Sequence, residues 1–594
     1  MHPRFRLGPL AAALLALAST CVVAQTAPAA APSVRPEQDP AERLLKEQRE
    51  REREQRLNQR TPKIEAPKPD PLAIVPLSAD PESIAETGAT FTIDRVELVG
   101  NTVLSSSEAE RITTPFVGRQ LGANRINLLM RRLTEAFIAK GYITTRAYLG
   151  EQNLASGILS VTVVPGKIES FRVNGQMARS VAPVQVERGG PYNGGWLTDW
   201  GTLAAFPVEA GDTLKLQDLE QGVDQINRLR RNQAELQILP GQTPGGSIVA
   251  LNNHPGDRYR VNLGVDNYGS QATGRQRSRL GLDVDNPLGF QEALSLAYVG
   301  SLDTNALLAS AAVPYGYNTF SYTASYSEYQ NLIGDTAILF GNTMAHNIGW
   351  NRVMTRSQTG KSALDLTLSV RKAEREINNI VLNPQRLTVA RAGWNTLARF
   401  PVGGEQGNWT LDLGLSHGLK AFSASADVDG LARSDAHSQF SKVDFTATVS
   451  LPLAAAWSYR GVLNGQWSNV GLFGSEQIYA GGVGSVRGFT EGGISGDRGF
   501  VMRNEFQWTK APQVEIAGKP LWLQPYFFLD AGRTELLSQR QWKQLSGAGA
   551  GLRAQWQAGK HQVFVDALIG APLNQPAELG GKKAIAQASL NWTF

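Results

Sequence analysis

The sequence predicts α+β periplasmic modules followed by a transmembrane antiparallel β-barrel of about 16 strands. Three observations support this fold class. The chain begins with a short export signal, and no later run of about 18 apolar residues could form a membrane-spanning helix. Its C-terminal half alternates apolar and polar residues over short segments. An exported chain without helical spans can still enter a membrane as a barrel, because closure satisfies the backbone hydrogen bonds.

The composition fits a multidomain β-rich chain. At 594 residues the protein is too long for one ordinary soluble core, so two or more domains are expected. Hydrophobic residues make up 42% of the chain and charged residues 19%, and the 60 glycines favour turn-rich β structure. The net charge of +5 is small for this length and argues neither for nor against nucleic acid. We expect no nucleic acid among the partners.

Residues 1–24 are predicted to be a signal peptide. Two arginines precede the apolar stretch "LGPLAAALLALAS", and small residues precede a cleavage position at Gln25. Cys21, the single cysteine, would fit a lipoprotein signal, but Thr20 before it does not fit the small residue that such sites require. We therefore expect ordinary cleavage and a mature chain without cysteine or disulfide.

Residues 39–60 are predicted to form a charged helix, and residues 61–90 a linker. "DPAERLLKEQREREREQRLNQR" starts with a plausible N-cap at Asp39 and has almost no apolar residues. Such a helix is either solvated, or disordered as a charged arm, or lies in a polar, water-filled channel. The six prolines of the following segment predict a semi-extended linker with real reach.

Residues 91–168 and 169–253 are predicted to be two related α+β modules. The first has a strand at "FTIDRVELVGN", a short helix at "SEAERIT" capped by Ser106 or Ser107, a longer amphipathic helix and two strands. The second repeats this order with "SFRVNG", "TLKLQDLEQGVDQINRL", "AELQILPG" and "GSIVALNN". A tandem repeat of about 80 residues usually serves binding or docking.

Residues 258–594 are predicted to form the barrel. "YRVNLGVDN", "RLGLDVDN" and the terminal "AQASLNWTF", which ends at Phe594, place apolar residues on one face and small or charged residues on the other. Tyr, Trp and Phe often stand at segment ends, where aromatic girdles form in membrane barrels. The segment is long enough for about 16 strands of about 10 residues each.

No catalytic or metal site is predicted. "GLSHG" matches a nucleophile-elbow pattern, but Ser416 stands in an unbroken alternating strand rather than in a strand–turn–helix. Six scattered histidines and a mature chain without cysteine provide no metal-ligand spacing. We expect no cofactor and no enzymatic activity.

These features together resemble a known family. Two modules before a barrel resemble POTRA domains, and the combination resembles the TpsB transporters of two-partner secretion, which include the filamentous haemagglutinin and haemolysin transporters. "LKLQDLEQGVDQINRLRRNQAELQILPG" resembles their second POTRA domain, and "DNPLGFQEALSLAYVGS" and "VPYGYNTFSYTASYSEY" their early barrel strands. "GSVRGF" (Gly484–Phe489) and "YFFLDAG" (Tyr526–Gly532) match a loop motif and a strand motif of the wider superfamily. Phe489 stands where tyrosine is frequent in this branch.

The resemblance implies roles for residues in both motifs. The loop would fold back into the barrel, where Arg487 would pair with Asp530 as a loop–barrel anchor. The planar guanidinium suits a partly desolvated lumenal carboxylate, whereas without the resemblance the loop would be a flexible extracellular one. Further motif residues are Gly484, Val486, Gly488 and Phe489 in the loop, Phe528 in the strand, and Phe594 as the C-terminal barrel signature. The resemblance also implies that the helix at 39–60 plugs the pore at rest.

As a function, the resemblance implies transport across the outer membrane of a Gram-negative bacterium, with the POTRA domains in the periplasm. The cargo would be an unfolded TpsA-like exoprotein, which could be an adhesin, a haemolysin or a contact-dependent toxin. Outer-membrane lipid and the barrel-assembly machinery that inserts the chain would be its other partners. The alternatives are a barrel assembly or insertion factor and a passive porin. Two POTRA copies after a lone charged helix favour transport.

Overall fold

The computed structural model describes the modules and the barrel almost completely. The predicted signal peptide and most of the predicted helix at 39–60 lie outside the described residues. Described are residues 45, 47, 48, 64, 65, 77, 78, 80–177, 196–269, 274–333, 337–453, 456–489, 492–511 and 514–594.

The first module packs two helices against two small sheets, one with the strand order Arg95–Val99, Ile158–Val164 and Arg146–Leu149, the other pairing Phe91–Ile93 with Arg119–Leu121. Leu129, Leu133 and Phe137 of the longer helix are fully buried in its core, as the amphipathic pattern predicts. The shorter helix is capped by Ser105 in a reciprocal pair with Glu108, so the predicted cap at Ser106 or Ser107 is wrong by one or two positions. The elements are β1 (Ile64–Glu65, from the linker), β2 (Phe91–Ile93), β3 (Arg95–Val99), α1 (Ser106–Thr113), β4 (Arg119–Leu121), α2 (Ala123–Ala139), β5 (Arg146–Leu149) and β6 (Ile158–Val164).

The first module extends N-terminal to residue 91. Ile84 is buried in the module's core. Glu86 accepts backbone N–H bonds from Gly122, Asn124 and Arg125 at 2.8–3.0 Å, and so caps α2, whose own N-cap residue is a glycine without a side-chain cap. The predicted linker at 61–90 is therefore too long at its C-terminal end.

The second module is built on a five-stranded sheet of order β1-β9-β10-β7-β8, where β9 is Glu235–Pro240, β10 is Gly246–Asn252, β7 is Lys167–Val173 and β8 is Gln176–Met177. Leu219, Val223 and Ile226 of its main helix are fully buried against this sheet. β1 pairs in parallel with β9, although it comes from the predicted linker. The remaining elements are β7 (Lys167–Val173), β8 (Gln176–Met177), α3 (Trp196–Ala204), α4 (Leu216–Asn227), β9 (Glu235–Pro240) and β10 (Gly246–Asn252).

The barrel closes through sixteen long antiparallel strands among the described residues, with the first, β11 (Tyr259–Asp266), paired to the last, β30 (Ile585–Thr593), from Asn262↔Thr593 to Asp266↔Ser589. The longest strand has 20 residues, twice the predicted length, because at about 3.4 Å per residue the wall extends beyond an apolar band about 25 Å tall. The long strands are β11 (Tyr259–Asp266), β12 (Arg277–Asp285), β13 (Ala293–Ser301), β14 (Thr304–Tyr315), β15 (Asn318–Ile333), β16 (Ala337–Arg356), β17 (Gly360–Ile377), β19 (Gln385–Val402), β20 (Glu405–Gly418), β21 (Ser441–Pro452), β22 (Trp457–Ser468), β25 (Arg498–Trp508), β27 (Lys519–Leu536), β28 (Gln541–Ala558), β29 (His561–Asn574) and β30 (Ile585–Thr593). Short strands β18 (Ile380–Val381) and β26 (Val514–Ile516) extend hairpins, and β23 (Ile478–Ala480) pairs with β24 (Ile494–Gly496) outside the barrel sheet.

Alternation along the strands separates an apolar outer face from a polar lumen. Leu280 and Leu282 of β12 are exposed on the outside, whereas Arg279, directly before Leu280, forms ion pairs inside. Ser416 is likewise buried on a continuous strand, β20. In the part of the chain that the structure describes, no helix is long and apolar enough to cross a bilayer. The described residues also contain no group of three or more His, Cys, Asp or Glu side chains placed to hold a metal ion.

The second module is docked on the barrel through α4, whose polar face is buried as well as its apolar face. Arg356, at the end of β16, contacts Glu220 at 3.2 Å and also Asp224. Gln225 donates to the carbonyl of Gly316, in the β14–β15 turn, at 3.0 Å. These contacts place the second module at the end of the barrel where β11 begins.

Candidate functional site in the barrel lumen

A long connection between β22 and β25 turns back into the barrel. It leaves β22 at the end of the barrel opposite the second module, and β23 and β24 form its stem. Val486 and Phe489 are buried at its tip in an apolar cluster that includes Val501 of β25 and Leu545 of β28. The loop that contains "GSVRGF" is thus packed against the inner wall.

Arg487 and Asp530 are in direct contact at this wall. The guanidinium donates to Asp530 through Nε at 2.7 Å and through Nη2 at 3.0 Å, and the backbone N–H of Arg487 donates to the same carboxylate at 3.1 Å. The Arg487 side chain is 2% exposed and that of Asp530 is 0% exposed. The pairing is bidentate and enclosed, which is the geometry in which arginine binds carboxylates most strongly.

Arg487 has further partners that sequence reasoning missed. Its Nη1 donates to Glu505 of β25, and its Nη2 to the backbone carbonyl of Asn504 at 3.3 Å. The guanidinium carbon lies 4.2 Å from the ring centroid of Phe528, within range of a cation–π interaction. A second carboxylate and an aromatic face therefore hold the same side chain.

The charged network continues along the wall through Arg553 of β28. This arginine donates two bonds to Glu505, at 2.6 and 3.0 Å, and contacts Asp566 of β29 at 3.4 Å. Tyr526 donates to Asp566 at 2.7 Å. Two arginines thus share three carboxylates, counting Asp530. The alternation along each strand predicts that these side chains face the lumen. It does not predict which residues of different strands lie next to each other.

The loop tip packs so closely against the barrel wall that two of the contact positions require glycine. Gly488 has a φ of +100°, and a Cβ built there would lie 3.0 Å from the carbonyl oxygen of Ala571. A Cβ at Gly547 would lie 2.0 Å from the carbonyl oxygen of Arg487, so only glycine lets β28 approach the loop. Gly484, the other glycine of the predicted motif, would place a Cβ in open space.

Three residues of the predicted helix at 39–60 contact the inner wall of the barrel at strands β12 to β14. Glu47 accepts a bond from Arg279 at 2.9 Å, and Gln48 donates to Ser310 at 3.2 Å. Leu45 packs against a small apolar cluster of the inner wall, Val299, Ala306 and Leu308. All three helical residues therefore touch lumenal side chains.

Phe594 lies on the outside at the barrel seam and is 40% exposed. Its backbone exchanges two hydrogen bonds with Val261, at 2.8 and 3.0 Å, and its ring centroid lies 4.9 Å from that of Trp592. The last residue thus extends the β11–β30 pairing at the end next to the second module.

Comparison with known proteins agrees with this architecture. The family described as haemolysin secretion/activation protein ShlB/FhaC/HecB matches residues 245–554, an ShlB-type POTRA domain matches 91–166, and a further POTRA domain matches 167–240. The outer membrane transporter CdiB of Dickeya dadantii is 30% identical over 81% of this chain and 82% of its own length. The hemolysin transporter protein ShlB of Serratia marcescens is 29% identical over 72% of this chain and 74% of its own.

Solved structures show the same fold. The structure of CdiB from Escherichia coli superposes with a TM-score of 0.78 at 27% identity, and covers 93% of this chain and 99% of that one. CdiB from Acinetobacter baumannii, at 21% identity, superposes with a TM-score of 0.70 over 93% of this chain and 98% of its own.

Two POTRA domains joined to a sixteen-stranded barrel define an outer-membrane transporter with its POTRA domains in the periplasm. The chain belongs to the ShlB/FhaC/HecB family of haemolysin secretion/activation proteins, which are transporters of two-partner secretion.

Proposed function

We propose that the barrel exports an unfolded TpsA-like exoprotein, which the POTRA domains capture in the periplasm and which then passes through the lumen. The chain would act by transport alone, without enzymatic activity or a cofactor. Outer-membrane lipid surrounds the barrel, and the barrel-assembly machinery inserts it. Adhesins, haemolysins and contact-dependent toxins are the candidate classes of cargo.

The observation that carries this proposal is the contact of Leu45, Glu47 and Gln48 with the inner wall. These residues belong to a segment of mixed charge joined to the first POTRA domain by the Pro-rich linker. A lumen occupied by a tethered, polar helix is closed at rest and opens when the helix leaves. A passive porin needs neither the helix nor the two POTRA domains.

The loop around Arg487 is proposed as the second element of the gate. Its contacts with Asp530 and Glu505 are buried. The loop therefore either stays at the wall while cargo passes, or leaves the wall only after both carboxylates have released the guanidinium. Val486, Gly488 and Phe489 shape the tip of the loop, and Phe528 covers the anchor.

The docking role of the first POTRA domain is tested by deleting residues 80–165, which leaves β7 of the second domain intact. We expect loss of the one extracellular protein that depends on this chain, with the barrel still in the outer membrane. Unchanged release would contradict the docking role. A general fall in outer-membrane barrel proteins would instead favour an assembly factor.

Plugging is tested by deleting residues 39–60 and recording planar-bilayer conductance. The deletion should convert brief openings into a large, steady conductance, whereas a full-length chain that already conducts steadily would favour a porin.

A further inference from the structure

The pairing of β25 with β27 is interrupted beside the loop anchor. These two strands, which the structure describes in full, pair as far as Met502 and again from Glu505, and leave Arg503 and Asn504 out of the ladder. The register is the same on both sides of the interruption, so no residue is inserted and there is no β-bulge. The barrel wall therefore lacks regular backbone pairing at the height of the anchor.

Asn504 fills this interruption with its own side chain. In the register of the two strands it faces Leu529, but its backbone N–H donates to the carboxylate of Asp530 at 3.2 Å. The carbonyl of Leu529 instead accepts the side-chain amide of Asn504 at 2.7 Å. The carbonyl of Asn504 also accepts a bond from the guanidinium of Arg487 at 3.3 Å. Asn504 therefore contacts both members of the anchor pair, and its side chain replaces the ladder bond that its backbone gives up.

The side chain of Asn504 lies on the outer face of the barrel. Met502 and Phe506, on either side of it in β25, are exposed on that face, and side chains two apart in a strand point the same way. A polar amide next to lipid is costly unless the protein satisfies its hydrogen bonds. Here the amide oxygen accepts the hydroxyl of Tyr459 at 2.8 Å, and the amide nitrogen donates to Leu529. An asparagine is thus held where the alternation of the strand predicts an apolar residue.

We propose that Asn504 is a positioning residue of the loop anchor. Because its side chain satisfies the carbonyl of Leu529, its backbone N–H is available to Asp530, and this carboxylate is held in place to receive Arg487. With an apolar residue at position 504, a single N–H would have to serve both the carbonyl and the carboxylate. This inference deepens the proposed role of the loop as an element of the gate, and rests on it.

The same arrangement gives the wall a second state once the loop has left. Asp530 then no longer receives the guanidinium, and the backbone N–H of Asn504 can turn from this carboxylate to the carbonyl of Leu529. The ladder closes, and one regular backbone bond offsets part of the contacts that the loop loses. Release of the loop is thereby coupled to closure of the ladder between β25 and β27.

The test is the rate at which a buried cysteine of the loop becomes accessible. Val486→Cys places this probe at a side chain that is 0% exposed while the loop is at the wall, and the single natural cysteine lies in the predicted signal peptide. The reagent is a water-soluble maleimide, applied to the full-length chain in detergent. Adding Asn504→Leu should accelerate labelling roughly tenfold, the change in an opening equilibrium that corresponds to one hydrogen bond. Asn504→Gln, which keeps the amide, should recover part of the protection.

Asn305→Leu is the matched control. Asn305 lies on β14, away from the strands that hold the loop, and its side chain bonds Tyr298 and Glu328 on the outer face. This variant should leave the labelling of the loop cysteine unchanged. A merely structural role of Asn504 predicts that Asn504→Leu lowers the unfolding temperature of the barrel. A positioning role predicts faster labelling with an unfolding temperature no lower than that of Asn305→Leu.

Unchanged labelling in Asn504→Leu would overturn the proposal. Equal acceleration in Asn305→Leu would do so as well, because the effect would then belong to the loss of any outer-face amide. Labelling needs no cargo, so either result would leave the transport function standing. Faster labelling in Asn504→Leu together with normal release of the extracellular protein that depends on this chain would support the positioning role, and would contradict the role of the loop in the gate.

Discussion

Asp530 accepts the backbone N–H of Arg487 in addition to two bonds from its guanidinium. One carboxylate therefore fixes both the main chain and the side chain of the loop tip. It also accepts the backbone N–H of Asn504 at 3.2 Å, where β25 and β27 run side by side. The two partners of this pair are for that reason not equivalent.

Substitution of the pair should reveal this asymmetry. Arg487→Ala should abolish most secretion and leave the barrel folded, because the loop loses its side-chain anchor but keeps the backbone bond. Asp530→Ala should be more severe, because it removes the acceptor of two backbone N–H groups and of two guanidinium bonds, and leaves the guanidinium to Glu505 and the carbonyl of Asn504. Secretion assays and the temperature at which the barrel unfolds in detergent measure both effects. Full secretion from both variants would refute the anchor.

Glu505 should be needed for the stability of the barrel, because its carboxylate lies between the guanidinium groups of Arg487 and Arg553. Glu505→Ala leaves Arg487 and Arg553 facing each other with fewer carboxylates, so the unfolding temperature of the barrel should fall. Adding Arg553→Ala should recover part of the loss, because neighbouring charges couple. A double variant no more stable than Glu505→Ala would show that Arg553 is not part of the network. Arg95→Ala, which removes an exposed ion pair with Glu97 in the first POTRA domain, is the control and should change little.

Gly547 should tolerate no side chain. Gly547→Ala places a Cβ against the carbonyl oxygen of Arg487 and should displace the loop, with a loss of secretion comparable to that of Arg487→Ala. Gly484→Ala is the matched control within the loop, because nothing lies within 4 Å of its Cβ, and secretion should be unchanged. Protease sensitivity of the loop reports its displacement. Equal behaviour of the two variants would contradict the close packing.

Arg356 should fix the second POTRA domain to the barrel. Arg356→Ala removes the cation that contacts both Glu220 and Asp224, whereas Lys361 stays 3.6 Å from Asp224. Removing one member of a buried ion pair costs about 3–5 kcal/mol. Amide exchange in α4 should therefore accelerate by more than tenfold, while exchange in α2 of the first domain should stay the same. Unchanged exchange in α4 would show that the apolar contacts suffice for docking.

Glu108 predicts a pH dependence of the first POTRA domain. Hydrogen bonds from Lys140 and from Ser105 lower the pKa of Glu108 from its ordinary 4.5 to about 2. A carboxylate with a depressed pKa stabilises the fold above its unfolded pKa, and this contribution is lost as the pH falls from about 4.5 towards 2. Thermal unfolding of the first POTRA domain, residues 80–166, should show a smaller decline over this range in Glu108→Gln than in the wild type. Parallel curves would contradict the linkage.

The fold class and the pairing of Arg487 with Asp530 could be predicted from the sequence. Alternation predicts the barrel because period two is local, and apolar spacing predicts α2 and α4 for the same reason. Arg487 and Asp530 could be paired because their motifs resemble those of a known superfamily. Glu505 and Arg553 could not, because strand register and barrel shear decide which lumenal side chains meet, and neither is encoded locally.

Two further features depend on tertiary contacts that leave no periodic signal. Glu86 caps α2 from 36 residues before Gly122, across the predicted domain boundary. Ile64–Glu65 forms a strand only because β9 provides the other half of the hydrogen bonds. A segment with six prolines has no strand pattern of its own, so sequence reasoning treats it as a linker.

Both the apolar and the polar face of helix α4 are in contact with other parts of the protein. Its apolar residues fill the core of its own domain, and its carboxylates and amides are matched to turns of the barrel. A change on either face therefore requires a compensating change in a different part of the chain, so the second POTRA domain and the barrel are constrained to evolve together. Hybrids between relatives should for this reason take the second POTRA domain and the barrel from the same parent.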